Sequence, residues 1–189
     1  MAKAVLISIR PDWVKKILKG EKTLEVRKTR PKLETPFKCY IYCTNSGVSI
    51  GMWGKHGKVV GEFVCDAIFP LLIECSSSVS LGAGIEVAGT CLTDREILNY
   101  LGNGKQGFAW HISGLKIYQR PVSLENCRKP CINPEMPYCP ACKVGYEYIS
   151  DAEAEFYREY GTCDTEWICQ NIIPKAPQSW CYIEELGNG

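Results

Sequence analysis

Apolar residues in this chain recur mostly in short runs with the two-residue period of a strand, and Gly or Pro interrupts them before they grow long. Residues 4–9 (Ala-Val-Leu-Ile-Ser-Ile), 39–44, 58–69, 107–112, 115–118 and 180–184 all read this way, with a shorter run in which Leu24 and Val26 point one way and Thr23, Glu25 and Arg27 the other. The run 58–69 reads as one long strand bent at Gly61, and Pro121–Leu124 as an extension of 115–118. Helical periodicity is confined to three places. Pro11 opens one helix with Trp13, Val14, Ile17 and Leu18 on one face, and Gly20 stops it. Thr93 and Glu96 form a capping box before a helix that ends at Gly102, and Ser150 and Glu153 form another before a helix that Gly161 ends. Residues 45–57 are turn-rich, and 74–91, rich in Ser and Gly, read as a loop. Many short strands with few helices imply an α+β fold built on a small mixed barrel with flanking helices. With 189 residues such a fold buries a core without staples.

Charge is unevenly placed. Residues 1–38 carry eleven Lys and Arg against four acids, while the whole chain has a net charge of +1. The remainder is therefore acidic, and 147–167 holds seven acids beside Arg158. Such asymmetry points to an anionic partner for the basic part, the plain alternative being a solvated helix face and turn. No apolar stretch approaches the roughly 18 residues of a membrane span, and no leader is read at the N-terminus, so a cytoplasmic protein with reduced thiols is expected.

Twelve cysteines need a separate account. Cys39, Cys43, Cys65, Cys75, Cys91 and Cys181 lie mostly in apolar runs, where a free thiol behaves as a small hydrophobe. The other six crowd into 127–169. Cys127, Cys131, Cys139 and Cys142 offer four soft ligands in sixteen residues, and Cys139-Pro140-Ala141-Cys142 has the spacing of a zinc knuckle, with Zn–S bonds of about 2.3 Å. The neighbouring prolines form neither helix nor strand, so a structural zinc is the expected organiser of a Cys-rich segment at 126–173. Cys163 and Cys169 are alternatives to Cys127 and Cys131. A catalytic zinc is disfavoured. His56 and His111 lie far off in sequence, and the His-x-Glu and Pro-Cys-x-x-Cys signature of the nucleobase deaminases is missing.

The densest polar group on a strand is Gly20-Glu21-Lys22-Thr23-Leu24-Glu25-Val26-Arg27-Lys28. A cation–anion–cation set of this kind holds a phosphate or a base edge, or else forms a salt-bridge ladder. Preceded by the strand and helix of residues 4–19, this stretch resembles the Gly-x-Lys-x-x-x-x-Arg motif of the ASCH domain family, whose fold is a PUA-like β-barrel. Phe108-Ala109-Trp110-His111-Ile112 and the following Leu115-Lys116 look like that family's last barrel strands, and Pro177-Gln178-Ser179-Trp180-Cys181-Tyr182 is similar to the tail of phage and prophage members. The resemblance covers roughly residues 1–124 and 174–186. It sets a barrel at 1–125, a Cys-rich insertion at 126–173 and a returning strand at 174–189.

The resemblance implies an RNA- or nucleotide-binding groove between the first helix and the barrel, onto which Lys22, Glu25 and Arg27 carry over. Ser8, Arg10 and Trp13 join them by position, and Gln178, Ser179 and Trp180 offer an amide and an aromatic ring for base contact. Core packing is the plain alternative for Trp110 and Trp180. Some family members are amidohydrolases on acetylated cytidine that use a Lys and a Thr three residues later. Here Lys22 matches, but Glu25 stands at the second place and Thr23 is out of register. A modified-nucleoside hydrolase using Lys22 and Glu25, and a protein-interaction module using the insertion, are the two alternatives to a binding module.

Overall fold

The computed structural model describes residues 3–46, 56–75, 78–82, 85–102, 106–130 and 173–186. The expected helix at 150–160, the tip of the 45–57 turn, and Cys131, Cys139, Cys142, Cys163 and Cys169 lie outside them.

Strand β1 (Lys3–Ile9) runs into helix α1 (Pro11–Leu18), then β2 (Leu24–Arg27) and β3 (Phe37–Cys43). Next come β4 (Lys58–Cys65), β5 (Ile68–Cys75), β6 (Ser78–Leu81), helix α2 (Asp94–Leu101), β7 (Gly107–His111), β8 (Ser113–Ser123) and β9 (Trp180–Glu184). One sheet has the order β8-β4-β3-β1-β9 and the other β2-β7-β5-β6. All neighbours are antiparallel except β1 and β3, whose parallel pairing requires the crossover through α1 and β2. The α+β class expected from the sequence is the one observed.

Burial on β1 follows the pleat. Val5, Ile7 and Ile9 meet Cys39, Ile41, Val60, Phe63 and Trp110 in a core that also takes Val14 and Ile17 of α1. Ala4 and Leu6 point the other way, into a second cluster with Tyr40, Val59, Cys127, Ile173 and Ile183. Cys127 and Ile173, on either side of 131–172, therefore anchor to the same patch. A third cluster packs Ile97 and Leu101 of α2 on Leu24, Val26, Leu71 and Ala109.

Three sequence expectations change. The run 58–69 is two strands, because β4 belongs to one sheet and β5 to the other, and the chain crosses between them at Asp66 and Ala67. The Ala67 carbonyl accepts from the His111 N–H and the Cys65 thiol at this corner. The Ser/Gly-rich stretch 74–91 is not all loop. It holds β6, where Val79 and Leu81 bury while Ser78 and Ser80 stay half-buried, and a 3-10 turn at Val87–Thr90. Four residues of serine alternating with apolar groups are too few to stand out as a period. Finally, Thr23 precedes β2 and is exposed, so it does not share a face with Glu25.

At Gly61 the backbone of β8 leaves no room for a side chain on β4. A Cβ there would lie 2.6 Å from the Lys116 carbonyl oxygen. That contact is backbone and cannot be relieved by a side-chain rotation. Gly61→Ala should therefore destabilise the protein by about 2 kcal/mol or more, read as a lower urea midpoint with an unchanged slope. Gly82→Ala, with nothing within 4 Å of the new Cβ, is the control.

Candidate ligand-binding cleft

Three charged side chains of one strand and its approach are buried side by side. Lys22, Glu25 and Arg27 are 2%, 7% and 6% exposed. Glu25 and Arg27 share a face of β2, which is the edge strand of its sheet, so their side chains reach across to the neighbouring sheet. The Lys22 Nζ donates to the carbonyls of Leu24 (2.8 Å) and Thr90 (2.6 Å) and pairs with Glu25 Oε2 at 3.3 Å. Its three protons thus have acceptors within the protein. Glu25 Oε1 pairs with Arg27 Nη2 at 2.9 Å. That same nitrogen donates to the Ser8 carbonyl of β1 at 2.7 Å, and Nη1 reaches the Ser179 carbonyl and hydroxyl at 3.4 and 3.3 Å. Arg27 Nε is buried with no partner.

Register brings the two ends of the chain together here. β9 pairs antiparallel with β1 from Lys3 opposite Glu184 to Ile7 opposite Trp180, and the Ser8 N–H continues the ladder to the Ser179 carbonyl. The Ser8 hydroxyl donates to the Pro177 carbonyl at 2.6 Å. Residues 177–179 are thereby pinned beside the β1–α1 junction.

The result is a cavity of about 800 Å³, with Lys22, Glu25 and Arg27 among its lining. Ser8, Arg10 and Trp13 line it from the β1–α1 junction, and Gln178 and Ser179 from the tail. Eight of the nine binding residues named from the sequence therefore surround one cleft. Trp180 does not. Its ring packs at 5.9 Å from Trp110 and 5.4 Å from Tyr182, and its Nε1 donates to the Thr29 hydroxyl at 3.1 Å. Trp110 is wholly buried in the first core, edge-on to Phe37.

Sequence reasoning missed the wall opposite α1. Lys28 and Thr29 follow β2, and Glu96 and Tyr100 lie four residues apart on α2, all of them on the cleft. The i, i+4 spacing was the available signal, since Ile97 and Leu101 bury the other face. The capping box fixes the start of this helix: Glu96 Oε2 accepts from the Thr93 N–H and hydroxyl, each at 2.8 Å, and these bonds hold its carboxyl below the usual carboxylate range.

Thr23 faces elsewhere. It lines a separate depression with Leu24, Phe69, Gly89 and His111, so its hydroxyl is not on the side of the cleft where Lys22 and Glu25 meet. Of the expected zinc ligands only Cys127 is described. It is fully buried in the second cluster, and burial pushes its thiol up to about 11. Among the described residues no three metal-ligating side chains cluster, and no helix is long and apolar enough to cross a membrane.

No protein-family model matches the chain, and no curated protein matches it. Among solved structures it is similar to the ASCH protein of Zymomonas mobilis, at 17% identity and a TM-score of 0.51 over 96% of this chain and 88% of that one. The chain shares the fold of that ASCH protein. A tyrosine-to-phenylalanine variant of the Zymomonas protein aligns over 65% of this chain and 77% of its own, at 20% identity and a TM-score of 0.49. In the ASCH fold of this chain, β2 supplies the charged floor of the cleft and α1 one wall.

The buried triad makes a clear energetic prediction. Glu25→Gln leaves two buried cations without their anion and should cost about 3 kcal/mol or more in chemical denaturation. Glu21→Gln, removing an ion pair to Lys19 whose side chains are 51% and 57% exposed, should stay below about 1 kcal/mol.

Proposed function

We propose that the cleft binds a ribonucleotide unit, either free or within a single-stranded RNA. The observation that carries this reading is the gathering of the exposed Arg10, Lys28 and Gln178 around one cavity whose lining also holds the buried Lys22, Glu25 and Arg27. Exposed Arg10 and Lys28 on the same cleft supply phosphate attraction, and the exposed Gln178 amide offers both a donor and an acceptor to a base edge. The basic N-terminal segment adds steering toward a polyanion. A binding module fits better than the hydrolase alternative, because Lys22 is fully engaged by the protein and Thr23 lies on another surface.

A short single-stranded RNA oligonucleotide should bind the full chain with an affinity that falls as salt rises. Arg10→Ala should weaken binding several-fold and reduce the slope of log K against log salt by about 0.7, the increment for one phosphate contact on a single strand. Binding that is absent, or indifferent to salt, would overturn the assignment.

We further propose that the Cys-rich segment holds a structural zinc through Cys139 and Cys142. The burial of Cys127 among Tyr40, Val59 and Ile183 favours Cys163 and Cys169 as the remaining pair over Cys127 and Cys131. Metal analysis of the purified chain should find about one zinc per chain. Cys139→Ser should lose it. Cys127→Ser should keep it and lower the melting temperature, because a hydroxyl replaces a thiol in an apolar cluster.

A further inference from the structure

The ribonucleotide reading leaves open which side chain receives the base, and the aromatic residues of the cleft differ in how free they are. Among the described residues two line it: Trp13 on α1 and Tyr100 on α2. The Trp13 ring already carries two ammonium groups, Lys16 Nζ at 4.9 Å and Lys22 Nζ at 5.3 Å from its centroid. Lys22 cannot leave, since it is buried and bonded to two carbonyls and Glu25. Trp13 is thus committed to shielding a buried cation.

Tyr100 is in the opposite condition. It is 41% exposed, one of the few large aromatic or aliphatic side chains so exposed among the described residues. It is also well held. Ile97 and Leu101 are wholly buried beside it, and the Thr93–Glu96 capping box starts the helix that carries it. Among the described residues its ring contact is Lys28 Nζ, 5.2 Å from the centroid. Lys28 is itself exposed and lines the cleft. An exposed cation–π contact is weaker than the stacking of a base on an aromatic ring, so a base displaces the ammonium group rather than being excluded by it.

We propose that Tyr100 is the base-stacking platform of the cleft, and that Lys28 meets the phosphate adjoining the stacked base. A ring on one wall, an exposed amide on the tail and an exposed cation beside the ring match the three parts of a nucleotide: base face, base edge and phosphate. The inference rests on the ribonucleotide reading and adds to it the residue that recognises the base.

The test compares two pentamers by fluorescence anisotropy with the full chain, an oligouridylate and a ribose-phosphate strand without bases. The wild type should prefer the base-bearing strand by roughly tenfold or more. Tyr100→Leu should bring that strand down to the affinity of the abasic one and leave the abasic affinity unchanged. Tyr100→Phe should keep the preference. Lys28→Ala should weaken both strands equally and lower the salt slope by about 0.7. If the wild type binds and Tyr100→Leu keeps the preference for bases, the platform is wrong and the ribonucleotide reading stands. If the wild type binds neither strand, both fall.

Discussion

The structure depends on where the guanidinium of Arg27 is held. It takes the Ser8 carbonyl from one sheet, Glu25 from its own strand and Ser179 from the returning tail. Three parts of the chain distant in sequence are therefore tied by one side chain. Arginine suits this place better than lysine, because its planar fork presents donors in several fixed directions at once. Burying a cation costs several kcal/mol unless acceptors surround it, so the arrangement is stable only if all three parts are in place together. The cleft is a consequence. It opens where the two sheets and the tail meet around these charges.

The same economy makes the charged set first of all structural. A salt-bridge ladder and a binding site were opposed readings of the Lys22–Arg27 stretch, and the ion pairs from Lys22 to Glu25 and from Glu25 to Arg27 form the ladder. Lys22 has carbonyls for its protons and a carboxylate beside it, and so acts as an internal strut. Arg27 spends its terminal nitrogens on the protein and leaves Nε unused. The exposed side chains around the cleft include Arg10, Gln178, Lys28 and Tyr100.

Much of this was legible in the sequence because it is written in local patterns. Pro11 and Gly20 bound the first helix region, and Gly20 adopts the positive φ of 74° that an ending of this kind favours. Thr93 and Glu96 form the capping box their spacing requires. The alternation of Leu24 and Val26 against Glu25 and Arg27 places the charges on one face. What was not legible depends on pairing between distant strands. Nothing local marks Asp66 and Ala67 as the corner between two sheets, and Val79 and Leu81 are too few to show a period among serines. Trp180 looked like a ligand contact beside Gln178 and Ser179, but one residue along a strand reverses the face, and its ring turns to Trp110 and Tyr182.

That reversal also accounts for the way the walls are built. The tail contributes polar atoms to the cleft and an aromatic ring to the core from successive residues, so its position is fixed from behind by packing and from in front by Ser8 and Arg27. The wall formed by α2 is fixed differently, by a capped helix whose apolar stripe lies on the other sheet. The two walls are thus anchored in separate cores, Trp180 in the first and Ile97 with Leu101 in the third, and the β2 strand between them is their shared element. β2 contributes Leu24 and Val26 to the third core and Glu25 and Arg27 to the link with the first sheet. Four residues with both faces buried therefore join the two sheets, Leu24 and Val26 through the third core and Glu25 and Arg27 through the charges, a burial that no single hydrophobic alternation would demand.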